Sequence, residues 1–204
     1  LASVDDSIAG IAHRATAGPL SRLETVLGML SGLLGRPEAS RLHLSRSLYL
    51  SSLSLDDVAE LKTLNQLGLL SLSSESNERA AELFDKANQL ATERELPNLT
   101  YLTASALSRF LCGDDELAAS QLKQARQQIE DDKEGAIQQL LGLAHSLLGV
   151  DRPWFALEIF DEALECAVEV GSSKADEIKE MLLLANTAAT GVEDGQIAKI
   201  REFL

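Results

Sequence analysis

The side chains with the widest chemical range are few in this chain, and their spacing does not assemble a reaction centre. His13, His43 and His145 stand far apart, and none has a partner at the three- or four-residue spacing of a metal site. Cys112 and Cys166 are the only cysteines, a pattern that fits a reducing compartment better than a disulfide framework. Carboxylates are plentiful, yet Asp114-Asp115-Glu116 and Asp131-Asp132 fall at turns and helix starts, where acid groups meet the positive end of the helix dipole. No glycine-rich phosphate loop and no nucleophile elbow occurs. Trp154, just after Pro153, reads as a packing residue at a helix start. The expectation is a chain that is not an enzyme, with no metal and no cofactor, whose chemistry is non-covalent association.

Charge narrows the partner. The net charge of −14 opposes binding to phosphate backbones, and the basic residues, such as Lys123 and Arg126, are interleaved with acids. A basic or apolar protein segment is the compatible partner. No run of about 18 apolar residues predicts a membrane span. The compartment expected is intracellular, cytoplasmic in the first instance, with nuclear and organellar locations open. The Asn98-Leu99-Thr100 sequon is a three-residue coincidence on this reading. Leu1 in place of Met is read as a fragment or processed form.

The elements that must position any binding surface are helices. Leucine and alanine dominate, aromatics are 4% of the chain, and only four prolines interrupt it. A first short helix carries Ile8, Ile11 and Ala15 and is expected to stop at Gly18-Pro19. Residues 20–34 form a stronger helix with Leu23, Leu27, Leu30 and Leu34 at spacings of three and four. Residues 41–54 alternate partly, and a helix is preferred there over a strand. Ser54 and Asp57 resemble a capping box for a helix ending near residue 72. Further helices are expected at 77–94, at 98–112 after an Asn98 cap, at 116–129 and at 134–148. Another starts at Pro153 under an Asp151 cap, one follows Ser173 to 189, and a short one lies beyond Gly195.

Columns of like residues recur through these helices. Ala80, Ala118 and Ala156 lie 38 residues apart, as do Gly68, Ala106 and Ala144, and Ala87, Ala125 and Ala163. Phe84, Leu122 and Phe160 form a large apolar column between two small ones, and Leu64, Leu102 and Leu140 open each unit. Within a unit these columns occupy positions 8, 20, 24 and 27. That pattern resembles the tetratricopeptide repeat (TPR), in which small residues stand at 8, 20 and 27 and an aromatic at 24. The physical reason is helix contact: axes approach to about 8–10 Å only where crossing residues are small. The period exceeds the usual 34, and the tryptophan and tyrosine columns of the family's first helix are absent, so the resemblance is to a divergent array.

The resemblance implies an all-α, right-handed α-solenoid of antiparallel helix pairs. Residues 58–170 hold three TPR-like repeats at about 58–96, 97–134 and 135–172. Residues 1–57 are N-terminal helices or degenerate repeats, and 173–204 are capping helices. The turns inside the repeats are placed at Glu75, Gly113 and Asp151. The family geometry also implies a concave groove lined by Lys62, Asn65, Leu69, Thr103, Leu107, Phe110, Leu111, Gln138, Leu141 and His145. The carboxylate-clamp mode of the family is matched only by Lys62 and Asn65. Leu107, Phe110, Leu111 and Leu141 are the expected apolar anchors for an amphipathic helix or an extended segment. The function implied is a protein-interaction scaffold or adaptor. Two alternatives stay open: a peptide- or metabolite-sensing regulatory domain, and a permanently assembled structural subunit.

Overall fold

The computed structural model describes residues 2–189, with side chains described from Thr16 onward. Among these residues there are helices and no strands. They are α1 (Ala2–Leu33), α2 (Pro37–Ser54), α3 (Asp57–Ser73), α4 (Asn77–Glu93), α5 (Leu99–Cys112), α6 (Asp115–Asp131), α7 (Lys133–Gly149), α8 (Pro153–Glu169) and α9 (Ala175–Ala188). Each packs on its chain neighbours, in pairs α1/α2, α3/α4, α5/α6 and α7/α8, with the first helix of each later pair resting on the pair before it. The result is an α-solenoid of antiparallel helix pairs. Each pair buries on its neighbours the apolar surface it could not keep in water.

The small and large columns are the crossings of these pairs. Ala80, Ala118 and Ala156 are fully buried, as are Phe84 and Phe160, and Leu122 nearly so. Gly68 lies directly under the Phe84 ring: a methyl group there would stand 2.6 Å from Cε1 and Cζ. Leu102 and Leu140 are almost completely buried, and Ile178 on α9 continues that column 38 residues after Leu140.

The α1/α2 pair repeats the same crossing at an offset of 40 rather than 38. Gly28 sits under Leu44 as Gly68 sits under Phe84, with a hypothetical methyl 2.6 Å from Leu44 Cγ. Ser40, Ser47 and Ser51 are buried where α4 has Ala80, Ala87 and Ala91. The hydroxyls of Ser47 and Ser51 find partners, Ser51 donating to the Leu48 carbonyl at 3.0 Å. Ser47 Oγ lies 2.7 Å from Thr25 Oγ1 and 2.9 Å from Thr63 Oγ1, and Ser21 Oγ donates to the Ser47 carbonyl at 3.1 Å. A polar seam thus joins α1, α2 and α3 where the later pairs use alanine.

The turns inside the pairs share one geometry. Gly35, Glu75, Gly113 and Asp151 all adopt left-handed backbone, with φ of 68°, 58°, 78° and 59°. Glycine takes that conformation without strain, whereas glutamate and aspartate carry a Cβ penalty there.

Several local expectations are corrected. Gly18-Pro19 does not stop a helix: α1 runs through it as one element, with Pro19 inside. Residues 41–54, by contrast, are helical as expected, within α2. Helix α3 is capped by Asp56, whose carboxylate accepts from the Ala59 amide at 3.1 Å, rather than by Ser54. Asn98 stands at the start of α5, but its amide donates back to Asn88 at 2.9 Å and caps nothing. Asp151 supplies the left-handed turn, so Arg152 holds the cap position of α8. Helix α9 starts at Ala175 without a side-chain cap. The short helix expected beyond Gly195 lies outside the described residues.

Candidate functional site

The concave positions expected to form a groove divide into two groups. Leu69, Thr103, Leu107 and Leu141 are buried, with Leu107 only 1% exposed. Leu69, Leu107 and Leu141 belong to one continuous core with Leu72, Leu147 and Phe160, and Phe110 packs half-buried against it. The array curves tightly enough that Arg152, in the α7–α8 turn, donates to the carbonyl of Leu72 at the end of α3, at 2.9 Å. Leu107 and Leu141, two of the expected apolar anchors, are therefore interior packing residues here. Lys62, Gln138 and His145 are exposed, Leu111 is at the edge of exposure, and Asn65 is half-buried. Gln138 accepts from Lys174 Nζ, linking α7 to the start of α9. His145 is held by its own helix: Nδ1 lies 2.7 Å from the Leu141 carbonyl, and the ring meets the Phe160 edge-on at 5.3 Å.

An open cleft lies elsewhere, between α2 and α4 and floored by α3. It has a volume of about 500 Å³. Leu48, Leu67 and Leu83 supply apolar surface, Tyr49 projects beside them and is 65% exposed, and Arg41, Arg79 and Glu60 bring charge. Ser45, Ser52, Ser71 and Ser76 add hydroxyls. Ser71 is spoken for, donating to the Leu67 carbonyl at 2.8 Å. Burial pushes the Glu60 carboxyl above its usual range, with Asp57 reinforcing the shift and Arg94 opposing it. The arrangement offers an apolar floor, an aromatic wall and guanidinium groups, which suits side-chain capture.

None of the cleft residues was singled out in the sequence. One signal was present. At the column of Tyr49 the later repeats carry Gln89, Gln127 and Glu165, so an aromatic there departs from the array's own pattern.

Between α4, α5 and α6 lies a polar network that fixes repeat geometry. Asp85 accepts from Ser105 Oγ, from Arg109 and from Gln121 Nε2, the last at 2.9 Å. Arg109 also donates to Asp114 at 3.0 Å. The acid cluster at 114–116 is thus partly structural. Asp132 likewise caps α7, accepting from the Gly135 amide at 3.0 Å. Cys112 is exposed, while Cys166 is buried and free, its thiol pushed up to about 11 by burial and by Glu162. Among the described residues no cluster of three or more His, Cys, Asp or Glu could hold a metal, and no helix is long and apolar enough to cross a membrane.

No known family model matches the sequence, and no curated protein matches it. The solved structures do. A point variant of a Podospora anserina protein, described as a candidate kinesin light chain with nearly identical TPR-like repeats, superposes with a TM-score of 0.52. The match covers 92% of this chain and 92% of that one at 15% identity. The chain has the fold of a TPR-like repeat array. In a TPR-like array, identity this low is compatible with a shared fold because packing asks only for small residues at crossings and a large one beside them.

Proposed function

We propose that this TPR-like chain is a non-enzymatic protein-interaction scaffold that holds a partner segment in the cleft between α2 and α4. The observation that carries the reading is the contrast between two surfaces. The inner positions Leu69, Leu107 and Leu141 are spent on the core, leaving only Phe110 and Leu111 of the apolar positions partly exposed there, while the cleft of about 500 Å³ keeps Leu48 and Tyr49 accessible. TPR-like folds serve in general to bind other proteins, and nothing on this surface calls for turnover.

The chemistry of the cleft defines the partner segment. Leu48, Leu67 and Leu83 favour an apolar anchor, and Tyr49 adds a flat face of the kind enriched at binding hot spots. Arg41 and Arg79 favour a carboxylate flanking that anchor. Arg79 already holds Glu82 at 2.6 Å with both side chains largely exposed, so exchanging that surface pair for a ligand acid costs little. The acidic remainder of the molecule steers basic residues farther along the partner.

A peptide-display selection on the immobilised chain tests this directly. Enriched peptides should combine an apolar anchor with a nearby acid, and Tyr49→Ala or Arg79→Glu should abolish their capture while helicity is retained. Enriched peptides that bind both variants as well as the parent would place the site elsewhere.

A further inference from the structure

Helix α1 is built inside out. Its buried stripe consists of Ala17, Ser21, Thr25 and Gly28, small or polar residues. Its large apolar residues face away from the array: Leu20 (48% exposed), Leu23 (54%), Val26 (52%), Leu30 (50%) and Leu33 (81%), with Leu34 (70%) just past its end. Monomeric proteins rarely leave so continuous an apolar face in water.

We propose that this face is a self-association surface, and that the chain forms a two-fold dimer with α1 packed antiparallel on α1 of a second copy. Continuity with the array's own packing is the first argument. Leu23, Leu27 and Leu30 lie 40 residues before Thr63, Leu67 and Leu70. In α3, Thr63 faces Ser47 of α2, and Leu67 and Leu70 pack in a core with Leu44 and Leu48. The leucine face of α1 is thus the face by which the next pair stacks, and no helix among the described residues covers it.

Area is the second argument. The exposed fractions on α1 amount to an apolar surface on the order of 700 Å², close to the roughly 800 Å² per partner of a stable interface.

Charge selects the occupant. Arg22 and Glu24 are the only charged residues between 20 and 34, and both are engaged within the chain, with Asp56 at 2.9 Å and His43 at 2.6 Å. A protein of net charge −14 repels its own copies over most of its surface. The edge of this face formed by Leu20, Leu23, Leu27 and Leu30 carries no charge and is where a copy can approach, while the exposed Arg22 beside it is turned to Asp56. The leucine spacing is also self-complementary. Leu20, Leu23, Leu27, Leu30 and Leu34 follow a 3-4-3-4 pattern, so a two-fold axis at Leu27 sets Leu20 opposite Leu34, with Leu23 and Leu30 one residue out of register and close enough to interdigitate.

Sedimentation equilibrium of the 204-residue chain tests the proposal. The expected result is a closed monomer–dimer equilibrium that Leu23→Glu/Leu30→Glu weakens at least about 100-fold, two leucine contacts being lost. Leu33→Glu, at the most exposed position, should weaken it in the same direction with an unchanged far-ultraviolet spectrum. Leu183→Glu/Leu184→Glu, on the exposed side of α9, should leave it unchanged. A chain that stays monomeric at about 100 μM, far above the Kd range of stable interfaces of this size, overturns the proposal. So does a dimer insensitive to the α1 substitutions, one broken by the α9 pair, or open-ended association. Tyr49→Ala should not alter the equilibrium, so failure here and failure of the cleft reading are separate outcomes.

Discussion

Substituting Gly68 by alanine tests whether the first repeat is held at a closer crossing than its neighbours. The added methyl would stand 2.6 Å from two carbons of Phe84, whereas unstrained carbons sit about 3.5–4.0 Å apart. The ring or the helix must therefore yield by about 1 Å, and Phe84 is fully buried in the core. Overpacking of this kind costs about 1–3 kcal/mol, and replacing a helical glycine returns about 1 kcal/mol. An overlap of about 1 Å puts the cost in the upper part of that range, about 2–3 kcal/mol, so the net expectation is a loss of about 1–2 kcal/mol, a fall in Tm of a few degrees for a chain of this size. Gly142 is the internal control: it is exposed, nothing lies within 4 Å of its hypothetical methyl, and Gly142→Ala should stabilise by about 0.5–1 kcal/mol. The decisive variant is the double one. Gly68→Ala/Phe84→Leu recreates the Ala106/Leu122 combination of the second repeat, and it should be less destabilised than the sum of its singles by at least about 1 kcal/mol. Urea denaturation followed by circular dichroism, with m-values compared, reads all four. Strict additivity, or a Gly68→Ala variant as stable as the parent, would refute the close-crossing argument.

Asp85→Asn should cost about 2 kcal/mol, because Ser105, Arg109 and Gln121 lose a charged acceptor at a half-buried junction. Hydrogen exchange should show the loss concentrated in α4–α6. Ser47→Ala should cost about 1 kcal/mol, since it removes a shared partner of Thr25 and Thr63. Equal melting temperatures for variant and parent would show that the seam is dispensable. Glu60→Gln should stabilise the chain at neutral pH. Burial raises the folded-state pKa above its unfolded value, so the folded state holds the proton more tightly and stability falls as pH rises through that window. The gain should shrink towards zero below about pH 4, where the carboxyl is protonated folded and unfolded alike.

The repeat was legible because a crossing makes a narrow demand on residue size, and Gly68, Ala106 and Ala144 meet it at constant spacing. The turn at Glu75, Gly113 and Asp151 was legible for the same reason, as each unit reverses at the same register. The α1/α2 pair was obscured by two small changes: its offset is 40, and serines stand in the alanine columns. A buried serine column makes sense only once Thr25 and Thr63 are seen to satisfy Ser47, and Ser51 to bond back to the Leu48 carbonyl. How open the inner groove is was not legible, for a geometric reason. A position number says which way a residue points, but the curvature that brings Arg152 to Leu72 decides whether the space in front of Leu107 is open or filled. The cleft draws residues from α2, α3 and α4, and only the packed structure brings Tyr49, Leu67 and Arg79 to one surface. The leucines of α1 were visible as a stripe, yet a stripe in sequence does not say whether the array or another molecule covers it.

The central claim, that partner segments are held in the α2–α4 cleft, is tested most directly by hydrogen–deuterium exchange of the full chain with and without a display-selected peptide. The account predicts slowed exchange in 41–52 and 76–83, with α5 and α7 unchanged. Protection confined to the inner helices α5 and α7, with the cleft segments unaltered, would contradict it.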